Sequence, residues 1–333
     1  MSFNSKKYYG KRYEEISRYL EVCLKSVIHQ TYKNIELLVF DDCSEEDPSE
    51  KIKSVIPEAK IFRNKENLGL LKTENNAICS ANGKYILLLN QDIYLQNDYV
   101  EKMIEVMEGD KKIGVASGKI LRFCIDENNE INFSKIIDSA GMIFFCDRNV
   151  LERGQREEDT EKYEKSETVF GVTGAAPFYR KQALEDVAVN GEYYDEDFWM
   201  YKDDVDLCWR LNLRGWKCQY HPQTLAYHAR SAGGISVKMR KNFVTRRIGY
   251  IVHRFIKREG GSAKVRRRDF CNHYLMLVKN DSLSSLLKSI LPFSWRELQK
   301  IVFGILFEPH VYFPGWVDFF RKLAKIKEKR KII

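Results

Sequence analysis

Two sets of carboxylates stand where they could do chemistry. In YILLLNQDIYLQND (residues 85–98), five apolar residues, Tyr85 to Leu89, lead straight into Asn90-Gln91-Asp92. A run that apolar reads as a strand buried on both faces. Two amides and a carboxylate at its carboxyl end suit a hard divalent cation that bridges to diphosphate oxygens. A lone Asp after a strand often caps a helix or starts a turn. Here a second apolar run, Ile93-Tyr94-Leu95, follows Asp92, so no immediate helix needs the cap. A similar tip, Asp41-Asp42, ends the apolar IELLVF (35–40). There is no glycine-rich GxGxxG or GxxxxGK[ST] loop, so phosphates would rely on a metal more than on a backbone nest.

The second set lies in FWMYKDDVDLCWRLNLRGWKCQYHP (198–222). Val205, Leu207, Cys208, Leu211 and Leu213 give a helix that stops at Arg214-Gly215. Asp203 and Asp204 open it, and Asp206 falls in its first turn with Arg210 four residues on as an ion-pair partner. The helix dipole accounts for one or two acids there. Three acids in four residues, after Phe198-Trp199-Met200-Tyr201, exceed what capping requires, and the aromatics could stack on a sugar. His228 ends a short strand, Thr224–Tyr227; a lone histidine is more often structural than a ligand unless a metal is implied elsewhere.

These tips need rigid elements to carry them. Apolar spacing predicts helices over Arg18–Gln30, Glu50–Ile56, Thr73–Ala81 and Asp98–Glu108, and strands over Ile35–Phe40, Lys60–Arg63 and Tyr85–Leu89. Alternating strands and helices imply a doubly wound, mainly parallel sheet covered by helices, with ligands at the carboxyl ends of the strands. Both acidic tips sit at such ends.

Of 333 residues, 44% are hydrophobic, which suits a globular chain. No apolar run reaches the roughly 18 residues that span a bilayer. The N-terminus has no apolar leader core. Eight cysteines without a CxxC pair are expected to be reduced, buried thiols in a cytoplasmic protein. From Val237 onward, 23 Lys/Arg stand against 7 Asp/Glu, a net of +16. With +8 for the whole chain, residues 1–236 carry about −8. Phe243–Lys257 and Trp316–Ile326 read as amphipathic helices with basic faces. They suit an anionic membrane surface, or they pack on the rest of the protein.

In order and spacing, six segments resemble glycosyltransferase family 2 of the GT-A fold, and most closely its rhamnosyltransferase-like members. They are QTYKNIELLVFDD (30–42), NLGLLKTENNAI (67–78), GKYILLLNQDIYLQNDYVEKM (83–103), FGVTGAAPFYRKQAL (170–184), YDEDFWMYKDDVDLCWRLNLRGWKC (194–218) and TLAYHARS (224–231). The resemblance implies inverting transfer of a sugar, rhamnose above all, from a dTDP- or UDP-linked donor to a hydroxyl. The acceptor would be a glycan or polyprenyl-linked glycan in cell-surface polysaccharide synthesis. Asn90-Gln91-Asp92 matches the family's metal motif, with Asn in place of its first acid. Asp92 and His228 would therefore hold Mg²⁺ or Mn²⁺ at the diphosphate. Asp41 and Asp42 would bind the donor with Asn67, Gly69, Asn75, Asn90 and Gln91. Asp204 would be the general base, with Asp203 beside it. Gly174, Ala175, Ala176 and Trp199 would line the acceptor site.

The expected domains are a catalytic one, 1–236, and a basic helical extension, 237–333. The first strand of the catalytic domain reads as truncated, because MSFNSKK holds only two apolar residues in seven, and an insertion around Glu14–Arg18 lengthens the first helix. The expected location is cytoplasmic, peripheral at the inner face of the cell membrane, with no nucleic acid bound. Two rival classes are a non-catalytic nucleic-acid- or membrane-binding protein on a degenerate GT-A fold, and a nucleotidyltransferase.

Overall fold

A computed structural model describes residues 2–3, 13–230 and 262–333. The chain divides into two compact units, Met1–Ala232 with Ile332–Ile333, and Gly233–Lys331.

The first unit opens with strand β1 (Ser2–Phe3), helix α1 (Tyr13–Ile28), β2 (Leu38–Asp41), α2 (Ser49–Val55), β3 (Lys60–Arg63) and α3 (Leu70–Ser80). Next come β4 (Tyr85–Leu87), β5 (Ile93–Leu95), α4 (Tyr99–Gly109), β6 (Ile113–Ile125) and β7 (Ile131–Ser139). It ends with β8 (Met142–Phe144), β9 (Val150–Glu152), β10 (Glu167–Val169), β11 (Phe178–Arg180), α5 (Lys181–Asp186), α6 (Asp203–Leu213) and β12 (Lys217–His228).

β1, β2 and β3 pair in parallel. Ser2 and Phe3 lie opposite Phe40 and Asp41, so a two-residue strand forms in the segment where most of the first strand is expected to be missing. The second sheet runs β10-β12-β6-β11-β4, with β5 on β12 and β7 on β6. Only β6 and β12 are parallel in it. The expected parallel pattern thus holds for β1–β3 and for β6–β12, and antiparallel strands complete a mixed sheet.

β4 ends this path against antiparallel β11 instead of lying between parallel neighbours. Its apolar character comes from the core around it, which includes Leu20, Cys23 and Leu24 of α1 and Met103 and Met107 of α4. Those α1 residues recur at helical spacing on one buried face, which is why the helix was legible. Beyond β4 the arm stays tethered: Leu88 N donates to Pro177 O at 3.2 Å and Asn90 N to Ala175 O at 3.1 Å. β12 is far longer than the expected Thr224–Tyr227 and carries an irregularity between His221 and Leu225. There Thr224 O comes so close to Gly118 that a Cβ would lie 2.2 Å away, so only glycine fits.

The second unit contains α7 (Ala263–Asn280), α8 (Leu283–Lys288), α9 (Ile290–Phe307) and α10 (Pro309–Arg330). Trp316 of α10 packs against Phe270 and Tyr274 of α7, with ring centroids at 5.5 and 4.6 Å. Phe319 and Ile326 are buried too, so the expected Trp316–Ile326 helix packs as core on one side. The expected Phe243–Lys257 helix lies outside the described residues.

All eight cysteines are free thiols, as expected. Cys79, Cys124 and Cys146 are exposed, however, and so correct the expectation of burial.

Candidate active site

The antiparallel register of β5 and β12 sets Ile93 opposite His228 and so fixes Asp92 at the end of β12. Ala229 N donates to Asp92 O at 3.0 Å. The buried Asp92 carboxylate comes within 3.4 Å of His228 Nε2. The other ring nitrogen, Nδ1, lies 2.7 Å from Oδ2 of Asp138 on β7. Asp138 is fully buried, and its Oδ1 accepts from Arg230 Nε at 2.7 Å and faces Arg122 Nε at 2.7 Å. Burial opposes the charged form of His228. The Asp92 and Asp138 carboxylates outweigh burial and push the imidazole up to about 9. Burial also opposes the Asp138 carboxylate, but His228, Arg230 and Arg122 hold it well below the usual carboxylate range. A carboxylate on Nδ1 fixes the ring so that Nε2 faces the site, the arrangement found behind metal-binding histidines.

Gln91 Oε1, one residue before Asp92 in the chain, is buried without a hydrogen-bond partner. Such an oxygen, a carboxylate and an imidazole fit Mn²⁺ or Mg²⁺ as a partial ligand set. Among the described residues, no group of three or more His, Cys, Asp or Glu could hold a metal by itself. An ion here would therefore take its remaining ligands from substrate phosphate and water.

On the opposing side α6 begins with the acidic pair. Asp204 Oδ2 accepts from Gly174 N at 3.2 Å, and Oδ1 accepts from Val205 N at 2.8 Å. Burial, and next the charge of Asp204, push Asp203 up to about 7; burial also raises Asp204. Asp206 is different. It is fully buried with Arg210, whose Nε lies 3.0 Å from Asp206 Oδ2, so the expected pair forms inside the protein and not on its surface.

The loop before α6 is strained, with left-handed backbone at Trp199, Tyr201 and Lys202 (φ 67°, 68° and 65°). The donor-side segment holds it down. Asp42 Oδ1 accepts from Leu68 N at 2.8 Å and Oδ2 from Gly69 N at 3.0 Å. At Gly69 (φ 87°) a Cβ would stand 3.1 Å from the Trp199 indole, so the bare backbone lets the ring pack down. Asn75 donates to Tyr194 O at 2.9 Å and accepts from Tyr194 N at 2.8 Å.

The donor-side expectations are met unevenly. Asp42 and Asn75 spend their polar atoms on the protein's own loops. Asp41 is buried, accepts from Ser44 N at 3.1 Å, and faces Arg63 Nε at 3.2 Å. Asn67 is half-buried on the same loop as Gly69. Asn90 serves through its backbone, its carbonyl accepting from Cys23 Sγ at 3.4 Å. Of the three small residues, only Gly174 touches Asp204. Ala175 and Ala176 are buried in the hydrophobic core, and the Ala175 carbonyl accepts from Asn90 N at 3.1 Å.

Sequence reasoning missed four groups. Arg122 and Arg230 flank Asp138, as described. Glu74 on α3 is pushed well up by burial and next by the charge of Asp203. Glu152 on β9 accepts from Ser139 Oγ and is pushed up to about 8 by burial, with Asp204 and Asp138 adding their charge. Glu152 is in electrostatic reach of both Asp204 and Asp138, so it links the two motifs that are distant in sequence. Glu74 lies within the 67–78 segment and Arg230 within the 224–231 segment, so both could be found there; nothing local marks Arg122 or Glu152.

The sequence profile of the family described as Glycosyl transferase family 2 matches residues 12–188, more than half of the chain. The chain belongs to glycosyl transferase family 2. The profile covers the Asp41, Asn67 and Asp92 segments of this family 2 protein, and Asp203, Asp204 and His228 lie beyond it.

Over 133 residues the chain is 29% identical to the glycosyltransferase GlyA of Streptococcus pneumoniae, covering 39% of this chain and 17% of that one. Over 214 residues it is 25% identical to the poly-beta-1,6-N-acetyl-D-glucosamine synthase of Staphylococcus aureus, covering 63% and 47%. It therefore spans less than half the length of either relative. Among solved structures it is similar to GalNAc-T7 with UDP, GalNAc and Mn²⁺, at 14% identity and a TM-score of 0.57, covering 84% of this chain and 46% of that one. That likeness shows the GT-A fold expected from the sequence.

Proposed function

We propose that this family 2 protein is an inverting glycosyltransferase that moves a hexosyl or deoxyhexosyl group from a nucleotide-diphosphate sugar to a hydroxyl of a glycan or polyprenyl-linked glycan. The observation that carries the reading is a carboxylate and an oriented imidazole, Asp92 and His228, together with a carboxylate of raised proton affinity, Asp204. Glu152 is in electrostatic reach of Asp204 and of the Asp138 that holds the imidazole. Family membership and the poly-N-acetylglucosamine synthase among its relatives support cell-surface polysaccharide synthesis.

In this reading Asp204 takes the proton from the acceptor hydroxyl. The acceptor oxygen then forms its bond to the anomeric carbon while the bond from that carbon to the diphosphate oxygen breaks on the opposite face. The electron pair leaves with the nucleoside diphosphate. Gly174 N–H keeps the Asp204 carboxylate oriented, and Trp199, seated on Gly69, walls the acceptor side. Asp92, His228 and Gln91 would hold Mn²⁺ or Mg²⁺, which when bound neutralises charge on the leaving diphosphate.

Rhamnose is the sugar favoured by the form of the Asn90-Gln91-Asp92 motif, and a dTDP- or UDP-linked donor goes with it. The protein is placed at the inner face of the cell membrane. Its eight free thiols support a reducing compartment, and the basic second unit supports an anionic membrane surface. No described helix is long and apolar enough to cross a membrane.

The test is nucleotide release from a panel of nucleotide sugars, with and without EDTA. Release from one donor, lost in EDTA and in Asp92→Ala, is expected. Release from none, across dTDP-, UDP- and GDP-sugars, would overturn the reading.

A further inference from the structure

Part of the charge of the second unit is held in its own fold. Lys329 and Ile326 are buried and Arg330 Nη1 donates to Val278 O at 2.6 Å, so the end of α10 is packed rather than a free cationic tail. Among the described residues, the second unit also exposes an apolar face. On α9, Leu291, Trp295, Leu298, Val302 and Ile305 recur in steps of four and three and so share one face, and all are exposed. Leu291 is 80% exposed and Trp295 65%. Two of the three charged side chains of α9 are engaged with each other and with α7: Lys300 pairs with Glu297, and Glu297 accepts from Tyr274 of α7. On α10, Phe313, Val317 and Phe320 make a shorter exposed stripe of the same spacing.

We propose that this α9 face, extended by the α10 stripe, is a membrane-docking surface that lies in the interface of a bilayer containing anionic lipid. Apolar stripes of this kind cost free energy when left in water, and contiguous ones mark a partner. Charge selects which partner. From Ser282 to Ile333, ten Lys/Arg stand against four Asp/Glu. That excess attracts anionic headgroups and repels a second copy of the same face. Exposed Ile301 and Leu306 also widen the stripe beyond the narrow seam of a helical pair. An exposed apolar face that carries a tryptophan, in a unit of net positive charge, suits a helix lying in, and not across, a membrane.

The inference deepens the membrane-partner reading and is independent of donor and acceptor. Its test is sedimentation of the full chain with phosphatidylcholine vesicles, with and without phosphatidylglycerol, at low and at about 1 M salt, where charges more than ~3 Å apart are screened. Wild type is expected to bind the anionic vesicles and to keep part of that binding at high salt. Trp295→Glu/Leu298→Glu/Ile305→Glu should lower the binding by more than about tenfold, with an unchanged circular dichroism spectrum. Lys325→Gln/Lys327→Gln/Lys331→Gln should weaken only the low-salt part.

If the lysine variant loses all binding and the α9 variant none, the charged end holds the protein, and this inference fails while the membrane reading survives. If wild type binds neither vesicle, both fail. A wild-type dimer that the α9 variant renders monomeric, without vesicle binding, would make a second copy the occupant. Should the variant misfold, complete loss of wild-type binding at high salt is by itself contrary to the proposal.

Discussion

His228 on β12 and Asp138 on β7 lie ninety residues apart in sequence, and their Nδ1 and Oδ2 atoms are 2.7 Å apart in the core. Asp138 thereby decides which way the imidazole faces and holds Arg122 and Arg230 beside it. Asp138→Asn should weaken Mn²⁺ binding about 10–100-fold, as loss of an outer-shell carboxylate does. Titration of Mn²⁺ by electron paramagnetic resonance in the presence of the nucleotide checks this. Unchanged affinity would leave Asp138 a purely structural counter-ion.

Asp206→Asn should be severely destabilising. The Asp206–Arg210 pair is fully buried, and removing one partner leaves the other charge uncompensated at a cost of about 3–5 kcal/mol. A surface helix pair would cost only about 0.3–0.5 kcal/mol. Denaturant unfolding distinguishes these values, and the double variant Asp206→Leu/Arg210→Met should lose less than the single one.

The acidic pair predicts two pH effects of opposite sense. A raised Asp204 must lose its proton to act as a base, so turnover should rise with pH through a limb above the usual carboxylate range. Asp203, held near about 7, contributes in the opposite direction to stability. Its contribution is complete below the unfolded value of about 3.9 and is lost as pH rises through the folded value. Asp203→Asn should therefore show a melting temperature that gains on wild type from pH ~4 to ~7. A parallel pair of curves would contradict the assignment.

Gly69→Ala should disturb both the donor-side loop and the Trp199 loop that packs on it. It places a side chain in left-handed backbone, at roughly 1–2 kcal/mol, and 3.1 Å from the Trp199 ring. Donor affinity by calorimetry and acceptor KM should both worsen; a change in neither would show that the Gly69–Trp199 contact is only packing.

How much of this was legible follows from what each element shows locally. α1, α6 and β3 announced themselves through helical spacing or apolar runs with clear stops, and β3 was found to the residue at Lys60–Arg63. The Asp92 and Asp203-Asp204 tips were visible because polar residues interrupted apolar ones. The β6–β7 hairpin was not, because β6 is buried almost throughout and shows no alternation, and β7 mixes polar and apolar residues. Asp138 hid with it. Asn75, Ala175 and Ala176 were placed by resemblance. Only the fold reveals that the Asn75 amide is spent on Tyr194 and that both alanines are core.

The account's central claim is that Asp204 is the base, and the most direct measurement is turnover beside donor affinity for Asp204→Asn and Asp203→Asn. Asp204→Asn keeps the shape and cannot accept the proton, so transfer should fall about 10²–10⁴-fold with donor binding nearly unchanged. Asp203→Asn should keep much of its turnover. A dead Asp203→Asn beside a near-normal Asp204→Asn would move the base by one residue, and full activity in both would reduce the pair to a helix cap and contradict the mechanism.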